Sequence, residues 1–138
     1  MRRDRAAEAR SWLLQSLAEV EDARELERRG RFYLALFLFQ QATEKALKAY
    51  LYHQGEEELF THSVNDLMKL AISYDKEFEK ASKAKTLDRY YIPTRYPNGL
   101  AGDVPAEFFD DPDECRGARE LAMAAIELVK LKIGQVLS

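Results

Sequence analysis

The sequence predicts an all-α protein: an antiparallel up-and-down helical bundle of about five helices with one long ordered loop over residues 93–110. Three observations lead there. All four prolines (Pro93, Pro97, Pro105, Pro112) fall within twenty residues. Residues 4–92 contain only two glycines, Gly30 and Gly55, so long stretches lack the strongest helix breakers. Apolar residues recur at helical spacing, and no alternating strand pattern or internal repeat occurs.

The first helix is predicted over residues 4–29. Ala9, Leu13, Leu17, Val20 and Arg24 keep the period, Trp12 and Leu14 widen the stripe, and Gly30 stops it just past the last turn. The second covers 31–54 and ends at Gly55. Its residues 32–39, Phe-Tyr-Leu-Ala-Leu-Phe-Leu-Phe, are apolar on every side. That marks either the buried centre of the fold or an oligomer interface. A buried strand competes for this octet, but helix-forming sequence continues through Gln40–Tyr52.

A third, shorter helix is predicted over 63–74. It opens with Ser63-Val64-Asn65-Asp66, which resembles a capping box, and its apolar face is Val64, Leu67, Met68 and Ala71. The fourth, over 76–91, turns Phe78, Ala81, Ala84, Leu87 and Tyr91 inward, and Pro93 disfavours helix at Ile92. The last, over 111–137, begins Asp111-Pro112-Asp113-Glu114. A capping Asp, a proline at the first position and acids at the positive end of the dipole all favour a start there.

With 138 residues and 46% apolar content, the chain makes one domain, residues 1–138. Lys and Arg number 21 against 24 Asp and Glu, a net charge of −3, which excludes a general basic coat for nucleic acid but not a local patch. A single cysteine, Cys115, excludes an internal disulfide, and with two histidines it is too few for common structural zinc sites. No metal or other cofactor is expected. No apolar run reaches the roughly 20 residues of a membrane span. The basic start, Met1-Arg2-Arg3-Asp4-Arg5, has no apolar stretch behind it and does not read as a signal peptide. The expectation is a soluble cytoplasmic protein with no membrane association.

Residues 93–110 form a connection of eighteen residues, where bundle connections usually run about 2–8. Tyr96, Leu100, Val104, Phe108 and Phe109 predict that it packs back onto the bundle. Charge is divided around it. Residues 76–95 carry Lys76, Lys80, Lys83, Lys85, Arg89 and Arg95 against Glu77, Glu79 and Asp88; residues 100–114 carry six acids and no base. One reading is mutual neutralisation of helix and loop. The other is a basic strip for phosphate.

Three segments carry a resemblance. Phe39-Gln40-Gln41-Ala42-Thr43-Glu44-Lys45-Ala46-Leu47-Lys48-Ala49 resembles the second-helix signature of the HEPN domain. Tyr91-Ile92-Pro93-Thr94-Arg95-Tyr96-Pro97-Asn98 is similar to that family's loop motif. His62, followed by Asp66 and Leu67, is similar to its short His-containing turn into the third helix. The resemblance covers nearly the whole chain. It implies an antiparallel helical bundle, usually dimeric, in bacteria or archaea. It further implies a small nucleotidyltransferase as the product of a neighbouring gene, and either nucleotide binding or metal-independent ribonuclease toxin activity. One departure matters. The ribonuclease branch uses an arginine followed four to six residues on by a histidine, and neither His53 nor His62 has an arginine at that distance before it. The arginine there neutralises phosphate and the histidine assists proton transfer; this sequence offers the first role and not the second.

Arg95 is the leading site candidate. Arginine grips phosphate bidentately, and Tyr91 or Tyr96 beside it offers a stacking face. The competing reading has Arg95 pairing with Asp88 or a loop acid to pin the loop. Lys85 and Arg89 precede it and would complete a positive pocket. Gln41, Lys45, Lys48 and Tyr52 share a face of the second helix and, with Glu44, make either a cleft wall facing Arg95 or an exposed edge with a Glu44–Lys48 pair. His62 reads as a turn residue, His53 as a surface residue and Cys115 as a partly buried small residue.

The leading reading is a non-enzymatic nucleotide- or RNA-binding homodimer, working with a nucleotidyltransferase partner in a toxin–antitoxin-like pair. The alternatives are a divergent ribonuclease toxin and a purely structural interaction subunit.

Overall fold

Asp4 opens the first helix, its carboxylate accepting the Ala6 N–H at 2.9 Å. The computed structural model describes residues 4–100 and 102–138; residues 1–3 of the basic start lie outside them. Helix α1 spans Arg5–Arg28 and α2 spans Phe32–Gln54. Gly30 and Gly55 end them at φ of 74° and 114°, a left-handed backbone that side chains resist. The two helices run antiparallel. Trp12 stacks on Tyr52 at 5.7 Å, the Ser16 hydroxyl donates to the Ala42 carbonyl at 2.6 Å, and Lys45 meets Glu19 at 3.0 Å.

Helix α3 spans Val64–Tyr74, η1 is a 3₁₀ helix over Lys76–Tyr90, α4 is a single turn at Pro105–Phe108, and α5 spans Pro112–Ile133. A 3₁₀ turn, Gly134–Leu137, ends the chain. Helix α2 is the central element, with α1, α3, η1 and α5 all packed on it. Asp75 and Asp111 cap η1 and α5 through the Glu77 and Asp113 N–H groups. The described residues form no strand, and no helix among them is long and apolar enough to cross a membrane.

The five predicted helices are present within a few residues, with one correction. The fourth is 3₁₀ rather than α. Its buried residues are Phe78, Ala81, Ala84, Leu87 and Tyr90, one every third position. A 3₁₀ helix returns to the same face every three residues, whereas an α-helix falls about 60° short and would carry this stripe off the core. Tyr90 is therefore the inward residue, and Tyr91 stands half-exposed beside it.

The apolar octet lies in and against the core, with Phe32, Tyr33 and Leu38 packed on it. Only Ala35, Leu36 and Phe39 are buried; Phe32, Tyr33, Leu34, Phe37 and Leu38 are partly covered. The long loop packs back at points. Pro105 and Phe109 are buried, with the Phe109 ring edge-on to Tyr90 at 5.9 Å, and Leu100 lies against the core. Tyr96, Val104 and Phe108 stay exposed.

Candidate functional site

The backbone around Arg95 is set before its side chain is. Pro93 and Pro97 bracket it with fixed φ. The Thr94 hydroxyl donates to the Tyr90 carbonyl, and the Arg95 N–H to the Ile92 carbonyl at 3.0 Å. The loop thus folds over the end of η1. Arg95 Nε donates to the Tyr91 carbonyl at 2.7 Å. Its guanidinium lies 4.5 Å from the Phe37 ring, 4.5 Å from Tyr91 and 5.1 Å from Tyr96. Phe37 and Tyr91 stack on each other at 6.3 Å. Three ring faces attract the cation and leave its terminal N–H groups without a described acceptor. Among the described residues no carboxylate pairs with Arg95, so the reading of Arg95 as half of an ion pair is corrected.

Asp88, the expected partner of Arg95, is fully engaged elsewhere. It accepts from the Val64 N–H at 2.7 Å, the Asn65 N–H at 3.0 Å, the Ser63 hydroxyl at 2.9 Å and the Gln40 amide at 3.2 Å. It caps α3 and has no free lone pair to offer a ligand.

His62 enters the site from the turn before α3. Its ring stacks on Tyr91 at 5.5 Å with 16° between planes. Its Nδ1 lies 3.3 Å from Glu44 Oε1, and Gln40 donates to its carbonyl at 3.0 Å. Glu44 Oε2 meets Lys48 at 3.3 Å, the two side chains 3% and 4% exposed. The Lys48 ammonium lies 5.2 Å from the Trp12 ring. His62 and Arg95, far apart in sequence, thus pack on the same tyrosine. The side chain of His62 is 59% exposed.

The structure brings together Arg95, Tyr91 and Tyr96 as the sequence suggests, and adds Phe37 and His62. Phe37 is hidden in an octet whose residues look alike. His62 carries a signal only through the turn it shares with the third helix.

The other candidates go elsewhere. Lys45 and Lys48 turn toward α1 rather than toward Arg95: Lys45 joins Glu19 and Lys48 lies over the Trp12 ring, while Gln41 bonds Gln40 and Lys45 on its own helix. The Glu44–Lys48 pair is buried, not an exposed edge. Lys85 is exposed, two 3₁₀ turns before Tyr91. Arg89 lies over Tyr90 at 5.4 Å and donates to the Thr86 carbonyl. It lines a separate cleft of about 390 Å³ with Asp113, Glu114 and Glu120. Among the described residues, no ion pair joins the bases of 76–95 to the acids of 100–114, so the two charge runs do not neutralise each other directly.

Two titratable groups stand outside this cluster. Burial, with the Glu114 carboxylate accepting at 2.8 Å, pushes the Tyr90 phenol well above its ordinary range. Cys115 is fully buried rather than partly so. That burial pushes its thiol up to about 12, so it is no nucleophile.

The fold is a small helical bundle whose central helix meets the Arg95 loop through Phe37. The profile of the HEPN domain matches residues 9–132, and the chain belongs to that family. Its structure is similar to that of TT1696 from Thermus thermophilus, with a TM-score of 0.81 and 32% identity over 90% of this chain and 97% of that one. It is also similar to ST0689, an archaeal HEPN homologue, with a TM-score of 0.74 and 29% identity over 91% and 97% of the two chains. No curated protein sequence matches the chain.

Proposed function

We propose that the Arg95 cluster binds a nucleotide unit, the guanidinium taking the phosphate and an exposed aromatic ring the base. One observation carries the reading. Arg95 is pre-ordered by three rings and its own backbone bond, yet has no described carboxylate partner. A guanidinium fixed in advance loses less entropy on binding and keeps two parallel N–H groups for a phosphate. Tyr96, 48% exposed, is the ring with room to stack. Binding is weak, salt-sensitive and non-catalytic. Fluorescence titration with adenosine and uridine monophosphates tests it: Arg95→Ala abolishes binding while circular dichroism keeps the helical signal. Unchanged binding by that variant moves the site elsewhere.

His62 favours a second reading, a divergent ribonuclease. A histidine whose Nδ1 is beside a carboxylate, on the same tyrosine as a phosphate-binding arginine, has the elements of general acid–base chemistry. Incubation of RNA with pure protein separates the two. Intact RNA supports the binding module; cleavage lost in His62→Ala supports the enzyme.

A further inference from the structure

One ring joins His62 to the Arg95 cluster. His62 stacks on Tyr91 at 5.5 Å, and the Arg95 guanidinium lies 4.5 Å from the centre of the same ring. Imidazole and guanidinium are therefore no more than about 10 Å apart, within the range over which a surface charge is felt at physiological salt.

The turn that carries His62 is fixed from both sides. Gln40 donates to the His62 carbonyl at 3.0 Å, and the Ser63 N–H donates to the Thr61 hydroxyl at 3.0 Å. Glu44 sets the ring, its Oε1 lying 3.3 Å from Nδ1. The other oxygen of Glu44 already has Lys48. A proton on His62 is thus not needed to neutralise Glu44, and it adds a net positive charge to the site.

The charged groups around the ring come from each element packed on it. Helix α2 supplies Glu44 and Lys48. Helix α3 supplies Asp66, which accepts from the Thr61 hydroxyl at 3.3 Å. Helix η1 supplies Asp88, bonded to Ser63 and to the same Gln40 amide that reaches the His62 carbonyl. The loop after η1 supplies Tyr91 and Arg95. With His62 neutral, three carboxylates face the two cations Lys48 and Arg95. With His62 protonated the charges balance, and two cations share one tyrosine, where an anion relieves their repulsion. Imidazole ordinarily changes charge between about pH 5 and 8, whereas arginine does not titrate there.

We infer that His62 is the proton-dependent half of the phosphate site: its imidazolium joins Arg95 in attracting the anion, so that nucleotide binding tightens as the solution is acidified. The inference rests on the nucleotide reading of the Arg95 cluster and adds the regulation of that site by protons.

The probe is the methyl ester of adenosine 5′-monophosphate. A phosphate monoester changes its own charge near pH 6, whereas this diester keeps a single negative charge. Titration calorimetry shows wild-type affinity rising about threefold from about pH 8 to about pH 6. Calorimetry in two buffers of different ionisation enthalpy shows net proton uptake on binding in that range. His62→Gln flattens the profile and abolishes the uptake, while His53→Gln, in the last turn of α2, keeps both. His62→Lys, a permanent cation, removes the pH dependence and binds at about pH 8 as tightly as the wild type does at about pH 6. Circular dichroism keeps the same helical signal at each pH.

A flat wild-type profile, binding without proton uptake, or the same acid tightening in His62→Gln overturns the role of His62. Should His62→Gln fail to fold, the wild-type proton uptake and the His62→Lys profile decide. Binding that is lost in Arg95→Ala but indifferent to pH overturns the proton dependence and keeps the nucleotide reading. No binding of the diester at any pH overturns both.

Discussion

The Asp88 carboxylate accepts the Val64 backbone N–H at 2.7 Å, so a residue of η1 caps a helix that begins 24 positions earlier in the chain. It takes the Asn65 N–H as well, while Ser63 serves the Asp66 N–H. Three of the donors left open at the start of α3 are met this way. Asp88→Ala is expected to cost about 2 kcal/mol or more, since it removes charged-acceptor bonds and leaves partly buried donors open. Asp88→Asn keeps one acceptor and loses less. Urea unfolding followed by circular dichroism measures both.

The Glu44–Lys48 pair is buried, so its two halves are not independent. Lys48→Met leaves the buried Glu44 carboxylate with only the exposed His62 ring beside it and is expected to destabilise by about 3 kcal/mol. Adding Glu44→Gln removes that charge, and the double variant recovers most of the loss. A double-mutant cycle in urea shows the coupling; additive losses would mean the pair contributes nothing jointly.

Alkaline stability follows from Cys115. Unfolded, the thiol ionises near 9.0; folded, burial holds its proton to about 12. A folded pKa raised above the unfolded one gives stability that is whole below pH 9 and is lost as pH climbs toward 12. Tyr90, also raised by burial, acts in the same direction. Cys115→Ala is expected to flatten the decline between about pH 9 and 11 in urea titrations. At about pH 8 the native thiol should resist a disulfide reagent that modifies the unfolded chain at once.

Arg95→Lys separates charge from shape. A lysine keeps the cation but not the planar guanidinium that lies near three rings. Arg95→Ala is expected to cost about 1 kcal/mol through lost cation–π and stem packing. Arg95→Lys should cost less stability yet still lower nucleotide binding several-fold, because bidentate phosphate contact is gone. Full binding by the lysine variant would make the site a simple charge attraction.

The fourth helix shows where sequence reading stops. Phe78, Ala81, Ala84 and Leu87 already stand at intervals of three, and an α-helical reading carries the step on to Tyr91 because an α-helix tolerates three or four. The strict interval points to Tyr90 instead, and the tertiary structure accepts it because Phe109 and Glu114 complete the environment of its ring and hydroxyl. Arg95 is legible because prolines and tyrosines flank it in the chain itself. His62 is not, since it reaches Arg95 only through the Tyr91 ring that both pack on. Phe37 is not either, since its contact with Arg95 crosses from α2 to the loop.

The amino-acid sequence alone determined the bundle, its breaks at Gly30, Gly55 and Pro112, and the family. Those depend on local propensity and on periodicity that neighbouring residues display. Only the tertiary structure decided what each charge does. Asp88 is a cap, Glu44 and Lys48 are a buried pair, Arg89 belongs to another cleft, and Arg95 is held by rings without a described acid. Spacing along one helix already offered the Glu44–Lys48 pair, but its burial, and the partners of charges that reach between elements, depend on which elements pack together.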